Sequence, residues 1–370
     1  MTGSVFIDFS KAFDSVNHAT LVQKLQTLNL SESVINWFIS YLANRNQSVR
    51  IKQVKSGSLP LNTGVPQGSI LGPLLFVIYT MDLPSVIPED CKLYMYADDC
   101  TVTCSSPSAE TIQNSLNETM ARINSWALRN KLSINASKTK AMLIGPKHKI
   151  VANDLNIHIG NSSVEKVSIF KCLGIIIDDT LTWSPHVDYV YNSVCSKLGM
   201  MYRIRHCIPR DSLRTLVQCL VLPKLDYCCT IWGGRYERHN VMLNKLLKRA
   251  ARLILCCPFA TPSADMFTSL KWLPFSKRLQ YKKGILVFKC LNSMIPDYMT
   301  NLFSYFSDHR ITRQNTTTTL KLPISKTEHY LHSFAADGAK IWNRLPAQLR
   351  VQRSLRIFKA DLLKYLLEEN

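Results

Sequence analysis

Two adjacent carboxylates follow a short apolar and aromatic run. Lys92–Tyr96 leads into Ala97, Asp98 and Asp99, and Cys100–Cys104 is a second β-prone run. The pattern predicts a strand, a tight acidic turn and a returning strand. Neighbouring carboxylates repel each other when ionised, and Mg²⁺ prefers the hard oxygen ligands that such a pair offers. An exposed Asp-Asp turn would explain the pair better if it stood alone.

A third carboxylate lies inside an apolar run near the start of the sequence. Ser4–Phe9 is almost continuously apolar and carries Asp8. Such a run is typical of a strand covered on both faces, where a charge is costly unless it is paired or bound to a metal. If this strand lies beside the acidic hairpin, Asp8, Asp98 and Asp99 converge. Three convergent carboxylates can hold two cations for in-line phosphoryl transfer.

Five segments of the sequence resemble the palm motifs of reverse transcriptases from non-LTR (LINE-type) retrotransposons. In chain order they are Phe6–His18, Gly64–Phe76, Tyr96–Asp99, Leu132–Lys140 and Phe170–Ile175. A Tyr-Ala-Asp-Asp run alone is weak, whereas five motifs in the family's order are specific. The resemblance implies an RNA-directed DNA polymerase that transfers nucleotides to a primer 3′-hydroxyl. It also implies two Mg²⁺ ions, with Mn²⁺ as a substitute, held by Asp8, Asp98 and Asp99.

The first two motifs supply the residues that the resemblance assigns to nucleotide binding. These residues are Phe9, Phe13, Gln67 and Gly68. A ring at Phe13 beneath the incoming sugar leaves no room for a 2′-hydroxyl and so selects deoxynucleotides, although ordinary core packing also explains a phenylalanine here. The Gly and Pro residues of Thr63–Ser69 specify a shaped loop that a ligand can approach closely, and Ser69 can cap the helix after it.

The later motifs supply a basic residue and the contacts to nucleic acid. Lys138 is the family's candidate for meeting the departing pyrophosphate, where a lysine can neutralise charge or donate a proton. A surface turn lysine is an equal alternative, and Lys140 competes for the role. The residues that the resemblance assigns to the primer and template are Tyr96, Ala97, Cys172, Leu173 and Gly174.

Hydrophobic periodicity predicts the elements that position these motifs. The predicted helices are Ala19–Leu28, Ser31–Ala43, Ile70–Met81 as a buried helix, and Ser108–Asn130. The predicted strands are Gln47–Val54, Lys131–Ile134 and Lys140–Ile144, with a hairpin at Ile157–Val167. Two helices have an apolar face. These faces are formed by Val34, Ile35, Trp37, Phe38, Tyr41 and Leu42, and by Ile112, Leu116, Met120, Ile123 and Leu128.

We predict an α+β fold with three regions. Residues 1–182 form a polymerase palm of antiparallel strands and helices, residues 183–257 a basic helical thumb that begins at Ser184 as a helix cap, and residues 258–370 a C-terminal helical region. The boundary is placed at Pro258–Pro262. Within the last region, the threonine-rich Ser307–Lys326 predicts a loop and Ser354–Leu367 a final helix.

The charge balance indicates the class of partner. Lysine and arginine outnumber aspartate and glutamate 45 to 26 over 370 residues, a formal net charge of +19. Such an excess favours a polyanion, with nucleic acid ahead of an acidic membrane. The basic residues alternate with apolar ones, as on folded helices rather than in a disordered tail. The resemblance implies an RNA template, a DNA primer and deoxynucleoside triphosphates as partners.

The cysteines bear on compartment and metal content. None of the twelve is arranged as C-x₂-C with a matching second half, which argues against a zinc site or a secreted disulfide framework. Scattered thiols indicate a reducing, intracellular compartment, with nucleus and cytoplasm not distinguished. No stretch reaches the roughly 18 apolar residues that span a bilayer, so no membrane partner is expected.

The start of the sequence and two alternative classes of protein bear on the function expected of the chain. In the family a fingers region precedes the first motif, and seven residues precede Asp8 here. We therefore expect the chain to lack fingers and to depend on a missing fingers or endonuclease region. One alternative is a related polymerase, such as a group II intron maturase or telomerase. The runs Phe9–Asp14 and Trp342–Pro346 favour a retrotransposon enzyme over it. The other is a truncated, catalytically inactive remnant that at most binds nucleic acid.

Overall fold

The computed structural model describes residues 1–152, 154–306, 318–324 and 327–369. The chain divides into two compact units, Met1–Leu181 and Thr182–Asn370. The first unit mixes strands and helices, and the described part of the second is almost entirely helical. The α+β class is therefore confirmed for the first unit.

The elements of the first unit alternate between short strands and helices. They are β1 (Thr2–Ile7), α1 (His18–Gln26), α2 (Glu32–Leu42), β2 (Arg45–Gln47), β3 (Arg50–Ile51), β4 (Val54–Lys55), β5 (Leu59–Leu61), α3 (Leu71–Tyr79), a 3₁₀ turn (Leu83–Val86), β6 (Cys91–Tyr96), β7 (Asp99–Ser105), α4 (Ala109–Arg129), β8 (Lys140–Ile144), α5 (Lys147–Ala152), β9 (Ile157–Ile159), β10 (Ser162–Lys166), β11 (Ile169–Cys172) and β12 (Ile175–Asp178). The strand predicted at the first motif, the acidic hairpin and the hairpin at Gly160–Asn161 are confirmed.

A mixed sheet forms the centre of this unit. In the described part of the chain its six strands run in the order β6-β7-β1-β8-β10-β9. The strand β1 pairs antiparallel with β7 on one side and with β8 on the other. Its residues from Gly3 to Ile7 are all buried, as the continuous apolar run predicted. The prediction of a purely antiparallel palm is corrected by β8 and β10, which pair in parallel.

The helix α4 covers one face of the sheet. Ile112 and Leu116 are fully buried, and a Cβ on Gly3 would meet their side chains at 2.3 and 2.7 Å. Glycine in β1 therefore lets the helix approach the strand closely. Leu128 is 64% exposed, so its predicted burial is wrong. At 3.6 residues per turn it lies about 160° around the helix from Ile112, and Ala127 is buried in its place.

Two other predicted apolar faces are only partly buried. In α2, Leu42 is buried, but Trp37 is 52% exposed. The stretch Ile70–Met81 is predicted as a buried helix, but in α3 Leu74 and Val77 are about half exposed, and Ile70, which precedes α3, is 95% exposed. The sequence of α3 is apolar all round, so periodicity could not show which side faces the core.

Two predicted strands are broken by left-handed backbone. The stretch predicted as one strand at Gln47–Val54 is divided instead: Gln47 ends β2, which pairs with β5. The rest folds into the pair β3–β4, because Lys52 turns at φ 55°. The strand predicted at Lys131–Ile134 is reduced to a single bridge between Ile134 and Phe9. Lys131, at φ 57°, ends the preceding helix and delays the extended segment.

The second unit is built from helices. They are α6 (Ser184–Ile204), α7 (Arg210–Leu220), α8 (Leu222–Asp226), α9 (Cys229–Trp232), α10 (Glu237–Leu255), α11 (Ser263–Leu270), α12 (Phe275–Leu291), α13 (Asp297–Thr300), α14 (Glu328–Leu331), α15 (Phe334–Arg344), α16 (Ala347–Arg350) and α17 (Leu355–Glu368). The final predicted helix is confirmed by α17. Ser184 is the first residue of α6, and the cap position is Trp183 with φ 62°, so the predicted serine cap is wrong by one residue.

Three further predictions about the second unit have different outcomes. The division into thumb and C-terminal regions, with its boundary at residues 258–262, stays a prediction. The helices on either side of that boundary, α10 and α11, pack on each other. Most of the predicted loop Ser307–Lys326 lies outside the described residues. Among the helices that the structure describes, none combines the length and apolarity that crossing a membrane requires.

Candidate functional site

A two-residue turn presents the paired carboxylates. Tyr96 and Asp99 are the last register partners of β6 and β7, so Ala97 and Asp98 form the turn. Ala97 has φ 54°, a left-handed conformation that tight hairpin turns require. Asp98 therefore lies at the exposed tip, and Asp99 is the first residue of the returning strand.

The remaining carboxylate lies at the end of the neighbouring strand. Ile7 is paired with Cys100, so the next position in the same register places Asp8 beside Asp99. The backbone N–H of Asp8 donates to the Thr139 hydroxyl at 3.2 Å, and its carbonyl accepts from the Asn135 N–H at 2.8 Å. The turn of the fourth motif is thereby attached to the first motif.

A small cavity of about 80 Å³ joins four of the five motifs, and we call it the carboxylate cavity. It is lined by Phe6, Ile7, Asp8, Asp99, Cys100, Thr101, Lys138, Phe170, Lys171 and Cys172. Two carboxylates and two lysines from four separate segments therefore share one space. Asp98 is outside this lining but adjoins Asp99 in the turn.

The cavity collects negative charge and two lysines, Lys138 and Lys171. Burial, and then the charges of Asp98 and Asp8, raise the pKa of the Asp99 carboxyl. Burial, and then the charges of Asp98 and Asp99, raise the pKa of the Cys100 thiol to about 12. The oxygens of the three carboxylates do not form a group that all lie within 4.8 Å of one another in the described chain.

The structure separates the two candidate lysines of the fourth motif. Lys138 lines the carboxylate cavity. The Lys140 ammonium instead donates to Glu165 Oε2 at 2.6 Å and to the Ser137 carbonyl at 2.7 Å. Of the two, only Lys138 is thus placed beside the carboxylates.

The loop of the second motif lines a larger opening of about 550 Å³, the loop cleft. Its lining residues are Asp14, His18, Arg45, Asn46, Gln47, Leu61, Thr63, Gly64, Val65, Pro66 and Gln67. Gln67 Nε2 donates to Asp14 Oδ1 at 2.9 Å. Gly68 is exposed at φ 82° with open space where a Cβ would lie. Ser69 Oγ accepts from the Gly72 N–H at 2.9 Å, which confirms the predicted capping contact.

The two phenylalanines assigned to the nucleotide have different surroundings. Phe9 is 5% exposed and packs edge-to-face on Trp126, so only its backbone could contact a nucleotide. Phe13 is half-buried and stacks on Phe76 with centroids 4.6 Å apart. The Phe13 carbonyl accepts from the Val65 N–H at 2.9 Å, which joins its segment to the second-motif loop.

The fifth motif is a hairpin whose turn matches its sequence. Leu173 and Gly174, between β11 and β12, have φ 46° and 84°, as in the tight turns that follow the twist of antiparallel strands. Phe170 stacks on Phe6 with centroids 4.0 Å apart, which places this hairpin against the first motif. Cys172 lines the carboxylate cavity, and burial followed by the Asp99 charge raises the pKa of its thiol.

Three residues at these sites were missed by sequence reasoning. Thr139 is fully buried and holds the Asp8 N–H. His18 Nε2 lies 2.8 Å from the Gly64 carbonyl, and Arg45 lines the loop cleft. His18 and Thr139 lie within quoted motifs and could have been considered, whereas Arg45 has no motif around it and gave no signal.

The second unit contains an opening of opposite charge, the cationic cleft, of about 610 Å³. It is lined by Tyr202, Arg205, His206, Arg252, Leu253, Cys256, Cys257, Pro258 and Phe259. The Arg252 guanidinium lies over the Phe259 ring at 4.7 Å, and the Phe259 side chain is 86% exposed. Arg252 Nε is buried and has no hydrogen-bond partner among the residues that the structure describes. None of the described residues that line this cleft carries a carboxylate.

The class of protein follows from the first unit and its family match. Residues 2–177 match the reverse transcriptase (RNA-dependent DNA polymerase) family, which covers all five motifs and the whole carboxylate cavity. Relatives from insect mobile elements narrow the class further. Residues 2–177 thus match a reverse transcriptase domain, and the chain is similar to the enzymes of non-LTR, LINE-type retrotransposons.

Two of these relatives come from Drosophila melanogaster. A probable RNA-directed DNA polymerase from transposon X-element is 29% identical over 277 residues, covering 72% of this chain and 30% of the relative. A probable RNA-directed DNA polymerase from transposon BS is 31% identical over 271 residues, covering 69% of this chain and 29% of the relative. The chain thus spans about 30% of the length of these relatives.

Among solved structures, the chain is similar to telomerase from Candida albicans in complex with the TWJ fragment of telomeric RNA. The TM-score is 0.35 and the identity 13%, over 73% of this chain and 48% of that one. A likeness of this size places no individual residue.

Proposed function

We propose that the chain is an RNA-directed DNA polymerase, which adds deoxynucleotides to a primer 3′-hydroxyl along an RNA template. The observation that carries the proposal is the carboxylate cavity, where Asp8, Asp99 and Lys138 meet from three distant segments. Carboxylates beside a lysine, with Asp98 in the adjoining turn, are suited to phosphoryl transfer.

Hard divalent cations fit the donor set of this cavity. Asp8, Asp98 and Asp99 offer carboxylate oxygens, and burial, then the charges of Asp98 and Asp8, raise the pKa of the Asp99 carboxyl. We propose that these residues hold two Mg²⁺ ions, for which Mn²⁺ can substitute. Such ions, when bound, lower the pKa of the attacking hydroxyl and neutralise charge on the triphosphate.

The chain's own residues then orient the substrates. Lys138 is placed to neutralise the leaving pyrophosphate or to give it a proton. Lys140 is less suited to this role, because its ammonium is paired with Glu165. Phe13, Gln67 and Gly68 are proposed to receive the nucleotide's base and sugar, and of these Gln67 lines the loop cleft. Arg45 adds a cation there, which can meet phosphate.

The remaining assignments concern the primer and the regions of the fold. We propose residues 1–182 as the palm, 183–257 as the thumb and 258–370 as a C-terminal helical region. Tyr96, Ala97, Cys172, Leu173 and Gly174 are proposed to contact the primer and template. These residues belong to two tight hairpins, one carrying the acidic turn and the other touching the carboxylate cavity.

Primer extension by the purified chain tests this proposal. With a DNA primer on an RNA template, deoxynucleoside triphosphates and Mg²⁺, Asp8→Asn or Asp98→Asn should each abolish any extension that the chain supports, alone or with a fingers segment from a relative added in trans. The control Glu118→Gln removes an exposed carboxylate on α4 and should leave the rate unchanged. Binding of Mn²⁺, followed by electron paramagnetic resonance, should weaken in the aspartate variants alone.

Two outcomes would overturn the proposal. Full extension by Asp98→Asn would show that these carboxylates do not take part in the reaction. Template binding with neither extension nor Mn²⁺ binding would identify the chain as a remnant that only binds nucleic acid.

A further inference from the structure

A second cluster of metal-binding side chains lies at the other end of the acidic hairpin. The carboxylate oxygen of Asp90 and the thiol sulfurs of Cys91 and Cys104 all lie within 4.8 Å of one another. Among the described residues, this is the one group of three or more such side chains that meets this limit. Its donors are mainly sulfur, in contrast to the carboxylate cavity.

The strand register brings the two thiols together. Cys91, the first residue of β6, is paired with Cys104 of β7. The Cys91 N–H donates to the Pro88 carbonyl at 3.1 Å, so it does not bond across the ladder. Residues in a non-hydrogen-bonded pair have the closest side chains in an antiparallel sheet. The thiols therefore face each other because of backbone geometry, whichever rotamers they adopt.

The surroundings of the pair suit a bound ion. Cys91 and Cys104 are buried, at 6% and 3% exposure, whereas Asp90 is exposed and leaves a route from solvent. Thr119 Oγ1 lies 3.2 Å from Cys91 Sγ and 2.7 Å from the Ser115 carbonyl, to which it can donate its single proton. The hydroxyl therefore packs beside the ligand sulfur.

We propose that Asp90, Cys91 and Cys104 bind one divalent cation of the zinc class. Thiolate ligands select zinc over magnesium, so this ion differs in kind from those proposed for Asp8, Asp98 and Asp99. Two metal–sulfur bonds form as two thiol protons leave to solvent, and a water takes the fourth tetrahedral position. Affinity therefore rises with pH.

The ion would stabilise the hairpin that carries the acidic turn. Cys91 and Cys104 are five register positions from Tyr96 and Asp99 along the same strand pair. An ion bridging the two strands here closes the hairpin at the end opposite its turn. The inference stands independently of polymerase activity, because binding of the ion needs neither nucleotide nor template.

Cobalt provides a direct probe of thiolate ligation. Co²⁺ added to the reduced, purified chain should produce a sulfur-to-cobalt charge-transfer band that saturates at one equivalent and disappears when Zn²⁺ is added. Cys91→Ser and Cys104→Ser should each remove the band. The matched control is Cys100→Ser, because Cys100 is buried on the same face of β7 and should keep it.

The exposed carboxylate gives a variant that leaves the core untouched. Asp90→Asn should weaken Zn²⁺ binding by about tenfold or more, the range seen when a supporting group of a metal site is lost. Glu89→Gln, its exposed neighbour, should not weaken it. Should the serine variants fold poorly, Zn²⁺ should still protect Cys91 and Cys104 selectively from alkylation in the unaltered chain, as mapped by mass spectrometry.

Three results would overturn the inference. They are a wild-type chain without the cobalt band, a band that survives in both Cys91→Ser and Cys104→Ser, and alkylation of the two thiols that Zn²⁺ does not slow.

Discussion

The carboxylate cavity of the first unit and the cationic cleft of the second are opposite in charge and in construction. In the cavity, Asp8 and Asp99 lie on neighbouring strands fixed by backbone register. In the cleft, Arg205 and Arg252 extend from two helices beside an exposed aromatic ring. The cavity combines carboxylates with two lysines, whereas the described lining of the cleft is cationic, so the cavity is suited to cations that bridge to phosphate and the cleft to an anion.

The difference shows why the two openings differ in what they can specify. Charges attached to paired strands are held within narrow positional limits, as catalysis by electrostatic preorganisation requires. Long arginine side chains on helices adapt to a phosphate backbone without fixing its sequence. The comparison therefore predicts that changes in the cavity alter reaction rates, whereas changes in the cleft alter affinity.

Removing the cavity's lysine should have the largest effect. Lys138→Ala should slow primer extension by about 100-fold, the range for loss of a proton donor or acceptor in the transition state, with little change in template affinity. Single-turnover rates and filter binding measure the two separately. Lys140→Ala should have a much smaller effect, because that ammonium is bound to Glu165.

A conservative variant sharpens the role of the lysine. Lys138→Arg keeps the charge but donates no proton at accessible pH. If Lys138→Arg recovers the rate, the lysine acts by neutralising charge. If the rate stays low, the lysine acts by donating a proton. An unchanged rate in Lys138→Ala would show that the cavity works without this residue.

The next largest effect concerns the choice of sugar. Phe13→Val removes the ring stacked on Phe76 and should raise ribonucleotide use relative to deoxynucleotides by about 10- to 100-fold, within the range for a steric contact in a pocket. Phe13→Tyr keeps the ring and should keep the discrimination. Competition between the two nucleotide types on one template measures the ratio. If Phe13→Val and Phe13→Tyr discriminate equally, the Phe13 ring does not select the sugar and serves only in core packing.

The sequence predicted the carboxylate cavity, whose carboxylates are positioned by strands, better than the cationic cleft, which is formed by helices. The continuous apolar run before Asp8 predicts a strand covered on both faces, and the Tyr-Ala-Asp-Asp run predicts a tight hairpin turn, because both signals lie in adjacent residues. Arg45 and Phe259 gave no such signal, since their roles depend on which distant segments fold beside them. For α3, an all-apolar sequence concealed an exposed face at Leu74 and Val77, because burial there depends on neighbours rather than on the helix itself.

A cysteine spacing rule also missed what strand pairing supplies. The thiols Cys91 and Cys104 are separated by a whole hairpin, so no short C-x₂-C pattern exists between them. Their meeting follows from the two-residue turn at Ala97–Asp98 and the register it imposes. Counting outward from that turn could have found the pair from sequence alone.

For the cationic cleft, the expected effect is on binding. The affinity of the whole chain for RNA–DNA hybrid should fall steeply with salt, by roughly 0.9 log units per contacted phosphate for each tenfold rise. Arg252→Ala should weaken binding and reduce that salt slope by about one. The control Arg356→Ala changes an exposed arginine of α17 and should leave both unchanged. Equal losses in the two variants would mean that binding follows net charge rather than this cleft.

The smallest effect is on stability and reports the cavity's own electrostatics. Burial and the nearby charges of Asp98 and Asp8 raise the pKa of Asp99 in the folded chain above its ordinary value of 3.8. The folded state therefore favours protonated Asp99, and that contribution is present below 3.8 and lost as pH rises through the folded pKa. Asp99→Asn, which carries no charge at any pH, should thus be more stable than the wild type at neutral pH.

Asp154 provides the opposite case within the same unit. The Leu155 N–H, then Lys166, hold the pKa of the Asp154 carboxyl below 3.8, so its contribution is present above that value and lost as pH falls through the folded pKa. Asp154→Asn should therefore be less stable than the wild type at neutral pH, and the two variants should approach the wild type from opposite sides on acidification. Urea unfolding across the acidic range measures both differences. A loss of stability at neutral pH in Asp99→Asn would mean that the cavity already compensates its own charge, and the contrast with the cationic cleft would fail.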